Sequence, residues 1–151
     1  MRIAAIAAFI VFAASSLSAH VTVTPRESRA GATERYTVSV PTEGQVTTTS
    51  VELEIPAGVT VTEVVSGAAY TFDTRSEGGR IVAITWKQQI PPKARGEFAF
   101  VARNPTAAGP VPWKARQRFA DGTSADWVGV EGDRRPASVT TVTSSRSQFS
   151  R

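Results

Sequence analysis

Apolar and polar residues alternate along most of the chain after its first twenty residues. Val21-Thr22-Val23, then Arg35-Tyr36-Thr37-Val38-Ser39-Val40, then Thr49-Ser50-Val51-Glu52-Leu53-Glu54-Ile55 each place β-branched or aromatic side chains on one face and polar ones on the other. That period of two is the signature of a half-buried antiparallel strand. Proline and glycine punctuate the runs: Pro41 stops the second, Pro56-Ala57-Gly58 turns the third into Val59 to Val64, and Glu77-Gly78-Gly79 separates Tyr70 to Thr74 from Ile81 to Trp86. Beyond Ile90-Pro91-Pro92, strands are predicted at Glu97 to Arg103, Val111 to Phe119, Ala125 to Val130 after the Asp121-Gly122 turn, and Ser138 to Val142, while Arg26 to Ala32 reads as a polar turn. No window carries sustained helical periodicity outside the first nineteen residues. The pattern predicts an all-β chain folded as an immunoglobulin/fibronectin-like β-sandwich of roughly nine strands.

The N-terminal segment follows a different rule. Met1-Arg2 gives a positive start, Ile3 to Ala14 is uncharged and apolar, and Ser15-Ser16-Leu17-Ser18-Ala19 is a small-residue stretch. This is the layout of a secretory signal peptide, and the run is shorter than the about 20 apolar residues a spanning helix needs. The expected organisation is therefore a signal peptide over 1–19, one β-sandwich domain over 20–142 and a polar tail over 143–151. The expected location is periplasmic or extracellular.

Composition narrows the chemistry. The chain has no cysteine, one histidine and one methionine, Met1, which leaves with the leader. No disulfide supports the fold despite an oxidising destination, and the mature chain lacks soft sulfur ligands and any multi-imidazole site. A catalytic Ser-His-Asp or Cys-His set is equally poorly served. The sequence pI is about 10.1, but Lys and Arg are interspersed with acidic residues rather than gathered into a stripe, so nucleic acid is not an indicated partner.

The single histidine is His20, directly after the expected cleavage point. Cut there, the chain begins with a residue whose free α-amine and imidazole Nδ1 can close a chelate ring on one metal ion. The amine, with an ordinary pKa of about 7.7–8.0, competes only weakly with protons at neutral pH. Together with backbone amides and a carboxylate it offers a tetragonal nitrogen and oxygen set, which favours Cu(II). Binding is expected to release protons and to weaken in acid. A cut one residue away would remove the chelate. Glu27 and Glu34, near in sequence, and Glu97 are candidate carboxylates; Trp86, Trp113 and Trp127 are candidate aromatic neighbours or plain core residues.

The run Ala-His20-Val21-Thr22-Val23-Thr24-Pro25, followed in order by Arg35 to Pro41, Val51 to Val59, Ile84-Thr85-Trp86, Gly96-Glu97-Phe98-Ala99-Phe100 and Asp121-Gly122 leading to Trp127, resembles the YcnI-like copper-binding domain family. The resemblance spans nearly the whole chain after the leader. It implies a secreted β-sandwich that binds Cu(II) through a monohistidine brace at the mature N-terminus and serves copper homeostasis or acts as a copper chaperone. By that resemblance His20 supplies the brace, Glu97 the coordinating carboxylate and Trp127 the tryptophan against the metal. The partners implied are the copper ion and other periplasmic or membrane copper-handling proteins. Many members continue into a linker and a membrane helix or a second copper domain; the polar tail ending at Arg151 predicts a chain without a membrane span. Two other classes fit the residues less well: a copper-dependent oxidative enzyme, which lacks here the second histidine such sites use, and a non-metal immunoglobulin-like adhesion or carbohydrate-binding module.

Overall fold

The computed structural model describes residues 19–145. The expected leader, apart from Ala19, and the tail beyond Ser145 lie outside them. The described chain is all-β: β1 (Thr22–Thr24), β2 (Glu27–Arg29), β3 (Thr33–Pro41), β4 (Thr48–Glu54), β5 (Thr60–Val64), β6 (Thr71–Glu77), β7 (Arg80–Ile90), β8 (Arg95–Arg103), β9 (Gly109–Trp113), β10 (Ala115–Phe119), β11 (Ser124–Trp127) and β12 (Ser138–Thr143). They form a four-stranded sheet ordered β1-β3-β8-β5, a five-stranded sheet ordered β11-β10-β4-β7-β6 and a three-stranded sheet ordered β2-β12-β9. Among the described residues no helix is long and apolar enough to cross a membrane.

The two larger sheets bury their alternating apolar faces against each other. Val38 and Val40 of β3, Val51 and Leu53 of β4, Ile84 and Trp86 of β7, and Phe98 and Phe100 of β8 are all buried. Aromatic rings fill the interface: Trp86 lies across it on Phe98 with ring centroids 5.3 Å apart at 14°, while Tyr36 contacts its in-sheet neighbour Phe100 at 5.4 Å and Trp113 of the third sheet at 4.9 Å. Burying each such side chain contributes about 1.5–3 kcal/mol. With no disulfide, this aromatic layer is the main support of the sandwich.

The sandwich class agrees with the alternation; two strands are added and one is shortened, each for a physical reason. The single strand expected over Val111 to Phe119 is two, β9 and β10, although the in-out alternation of Val111, Trp113, Ala115 and Gln117 runs through the break at Lys114 without a slip. β9 pairs with β12 while β10 pairs with β4, so one extended segment changes sheets at a corner, as strands at sandwich edges do. Pro110 and Pro112 fall on β9, which pairs on one side only, where a missing N–H is tolerated. The polar segment at Arg26 contains β2, recruited by parallel pairing with β12 rather than by any apolar pattern. The strand expected over Ala125 to Val130 stops at Trp127, leaving Val128 and Val130 49% and 74% exposed in the following loop.

Candidate metal centre

β1 and β11 are outermost strands of opposite sheets. Antiparallel pairing of Thr22 with Ser39 brings the start of β1 beside the end of β3, so His20 falls near Pro41. The hairpin formed by β10, a turn and β11 brings Trp127, paired with Ala115 at the hairpin's open end, to the seam. Asp121 and Gly122 make that turn: the Asp121 carboxylate accepts hydrogen bonds from the Thr123 hydroxyl at 2.6 Å and amide at 2.9 Å, which hold its pKa below the usual carboxylate range. Gly122 takes φ +84°, a conformation that strains residues bearing a Cβ.

His20 and Trp127 meet across this seam with ring centroids 5.3 Å apart and planes inclined at 59°. Both line a pocket of about 710 Å³ with Ala19, Glu43, Gln117 and Arg135 among its walls. His20 is half-buried and Trp127 buried.

A chain of polar side chains fixes the pocket floor. Trp127 Nε1 donates to Gln117 Oε1 at 3.2 Å; Gln117 Nε2 donates to Pro41 O at 3.0 Å and to Thr48 Oγ1 at 2.7 Å. The Thr48 and Thr42 hydroxyls share a hydrogen bond of 2.7 Å, and Thr42 Oγ1 also bonds Ile90 O at 3.0 Å. Gln117, Thr48 and Thr42 are all buried, so each amide and hydroxyl needs the others. Gln117 was visible in outline: it occupies the buried parity of its strand after Val111, Trp113 and Ala115, and a polar residue there must be hydrogen-bonded. Glu43, Arg134 and Arg135 carry no comparable signal, because they sit on loops whose positions depend on the rest of the fold.

The expected site residues divide between two faces. His20 and Trp127 are together in the pocket. Glu97 is not among the pocket walls: β8 buries Gly96, Phe98 and Phe100 and turns Glu97 outward, exposed, opposite Ser39. The face that Glu97 shares with Ala99 and Val101 is the outer one. Register places Glu97 two strands from β1, roughly 10 Å across and about 7 Å along from His20. Glu34 and Glu27 belong to the opposite end of the sandwich. The Glu34 carboxylate accepts from the Ser28 hydroxyl at 2.8 Å, and Glu27 pairs with Thr141. Trp86 and Trp113 are core residues at 0% and 1% exposure. Of the three tryptophans, Trp127 alone lines the pocket.

The donor set fits a metal in one way. Among the described residues no group of three or more His, Cys, Asp or Glu side chains stands ready to hold an ion. Side chains alone therefore do not enclose a metal, and the residue suited to one is His20 once its nitrogen is an amine rather than an amide. Ala19, still attached here, lies in the pocket wall where that amine would form.

The Copper-binding protein CutI of Bacillus subtilis (strain 168) is 34% identical over 145 residues, covering 94% of this chain and 71% of the relative. A protein of Nocardia farcinica with an immunoglobulin-like fold superimposes with a TM-score of 0.71 at 24% identity, covering 83% of this chain and 99% of that one. A cohesin module from a Clostridium perfringens glycoside hydrolase superimposes with a TM-score of 0.55 at 15% identity, covering 84% and 98%, which speaks to the fold alone. Residues 20–142 match the family model described as a domain of unknown function, DUF1775, and with His20 as the first matched residue the chain belongs to that YcnI-like family.

Proposed function

We propose that this protein is a periplasmic or extracellular carrier or buffer of copper, holding one Cu(II) through the amine and imidazole of His20 after a leader ending at Ala19 is removed. The observation that carries the reading is the placement of the lone histidine in a pocket against Trp127 at the seam of the two sheets. The 34% identity to a copper-binding protein supports the metal. The absence of cysteine and of a second histidine from the sequence supports Cu(II) over Cu(I), and binding over redox catalysis. One chelate can form per chain, so one ion is expected.

In this reading Trp127 excludes water from one side of the metal, and its indole is held for that task by Gln117. The family resemblance implies Glu97 as the carboxylate; it stands on the outer face of β8, outside the pocket walls, so its part in holding the ion is the point on which this reading is most directly tested. Donors and acceptors of the ion are other copper-handling proteins of the same compartment.

Replacement His20→Ala in the mature protein tests the reading. The expected result is a sandwich of unchanged thermal stability without the magnetic-resonance signature of nitrogen-ligated Cu(II). An unchanged copper spectrum in that variant would place the metal elsewhere. Glu97→Gln, on an exposed side chain, is expected to leave stability within about 0.5 kcal/mol while weakening copper affinity; unaltered affinity removes Glu97 from the set.

A further inference from the structure

The pocket beside His20 is far larger than a metal ion requires. Its volume of about 710 Å³ falls within the roughly 300–1,000 Å³ typical of sites for small organic ligands. Its charged walls are unbalanced: Arg134 and Arg135 face one carboxylate, Glu43. The ion pairs among the described residues join Arg75 to Glu77, Lys87 to Asp73 and Arg116 to Asp126, and none engages Arg134 or Arg135.

The loop that carries the two arginines is tied down on itself. Gly129 N donates to Arg135 O at 2.9 Å, Ala137 N donates to Gly129 O at 2.9 Å, and Asp133 N donates to Val130 O at 3.1 Å. The Asp133 carboxylate accepts from Val130 N at 2.9 Å and packs against Gly129, where an added Cβ would come within 2.5 Å of its Oδ2, so its position is fixed within the loop. The loop also carries Glu131 and Asp133, but neither lines the pocket, and among the pocket walls the two adjacent arginines outnumber the single carboxylate of Glu43. Guanidinium groups match carboxylate oxygens in shape and charge.

We propose that this pocket binds a small dicarboxylate, one carboxylate on Arg134 and Arg135 and the other reaching the metal held at His20 as an additional oxygen ligand. The inference rests on the copper reading above for its second half only; the arginine half stands without the metal. It explains why His20 opens onto a chamber rather than a closed cage. No bond to carbon forms or breaks, and no electron is transferred: the dicarboxylate displaces water from the metal and from the arginines.

Succinate, a poor chelator by itself, is the probe, used with the mature protein beginning at His20, the Arg134→Ala/Arg135→Ala double variant and the His20→Ala variant. Copper uptake is first measured without succinate, which tests the copper reading alone. Succinate is then titrated into the metal-free and copper-loaded proteins by calorimetry, with the visible absorption of Cu(II) followed in the loaded form. The expected results are succinate binding to the metal-free chain, an affinity about tenfold higher for the copper form, and a shifted copper absorption. In the double variant the binding and the shift are lost while copper uptake without succinate is unchanged. In His20→Ala, binding to the metal-free level persists. Absence of succinate binding to the metal-free protein overturns the arginine site whatever the copper result. An equal copper shift in the double variant overturns the role of the arginines, and copper stripped by succinate at the same concentration from both forms overturns the shared ligand.

Discussion

The aromatic centre of the sandwich and the floor of the pocket solve burial in opposite ways. At the centre, Tyr36, Trp86, Phe98, Phe100 and Trp113 stack and tilt on one another, and the Nε1 of the fully buried Trp86 has no hydrogen-bond partner among the described residues. At the pocket, Trp127 is bonded through its Nε1 to Gln117, which is bonded in turn to Thr48 and the Pro41 carbonyl. The first arrangement tolerates an orphaned donor for the sake of apolar area. The second spends three buried polar side chains to hold one indole at one angle beside His20. Apolar packing suffices to make the fold; the polar chain specifies a surface, and that expense is understandable where the surface has a task.

The contrast can be broken most sharply at Trp86. Trp86→Ala is expected to cost about 3–5 kcal/mol of stability, read as a lowered midpoint in urea, while the fraction that remains folded keeps its one-to-one copper uptake. A variant that stays stable but loses copper would mean the centre and the pocket are not separable.

Gln117→Leu comes next in size. It leaves the Trp127 N–H, the Pro41 carbonyl and the Thr48 hydroxyl short of a partner, at about 1–3 kcal/mol for the set. The more telling readout is fluorescence: the part of copper quenching that disappears in Trp127→Phe is expected to shrink in Gln117→Leu as well. Undiminished quenching would show that Gln117 stabilises the fold without positioning the indole.

The smallest effect concerns Tyr36, on the side of the aromatic centre away from the pocket. Burial, reinforced by the charge of Glu34, pushes the Tyr36 pKa from 10.0 up to about 12. A raised folded pKa means a contribution that is complete below pH 10 and is lost as pH climbs toward 12, on the order of 2 kcal/mol. Stability measured across that window is expected to fall in the wild type and to fall less in Tyr36→Phe, with the pocket unaffected as long as His20 and Trp127 stay folded. Identical alkaline profiles would remove Tyr36 as the cause.

The alternation of Tyr36, Val38 and Val40, and of Val51, Leu53 and Ile55, made the sandwich legible because a period of two can bury only one face. The Asp121-Gly122 turn was legible because its side-chain chemistry is local. The pairing of β2 with β12 was not, since three polar residues acquire strand geometry only from a distant partner. Nor was the change of sheet at Lys114, where alternation continues although the partners change. For the site, His20 was marked by its position after a leader-like stretch, and Trp127 by the family pattern alone, since three tryptophans on strands look alike until packing separates them. The facing of Glu97 could not be read from alternation with Phe98, because parity says which residues share a face and not what lies beyond it. Arg134 and Arg135 reach the pocket through a loop whose course is set by Asp133 and Gly129, contacts that no periodic signal encodes.

The account turns on one nitrogen atom. Two chains beginning at His20 should be prepared, one with its α-amine free and one with that amine acetylated, and each weighed intact under native conditions with one equivalent of Cu(II). The account predicts that the free chain gains a single copper ion and that the acetylated chain, identical in every core strand, holds it far more weakly. Equal uptake by both would contradict the account, because the imidazole and the pocket are common to the two and only the free amine of His20 distinguishes them.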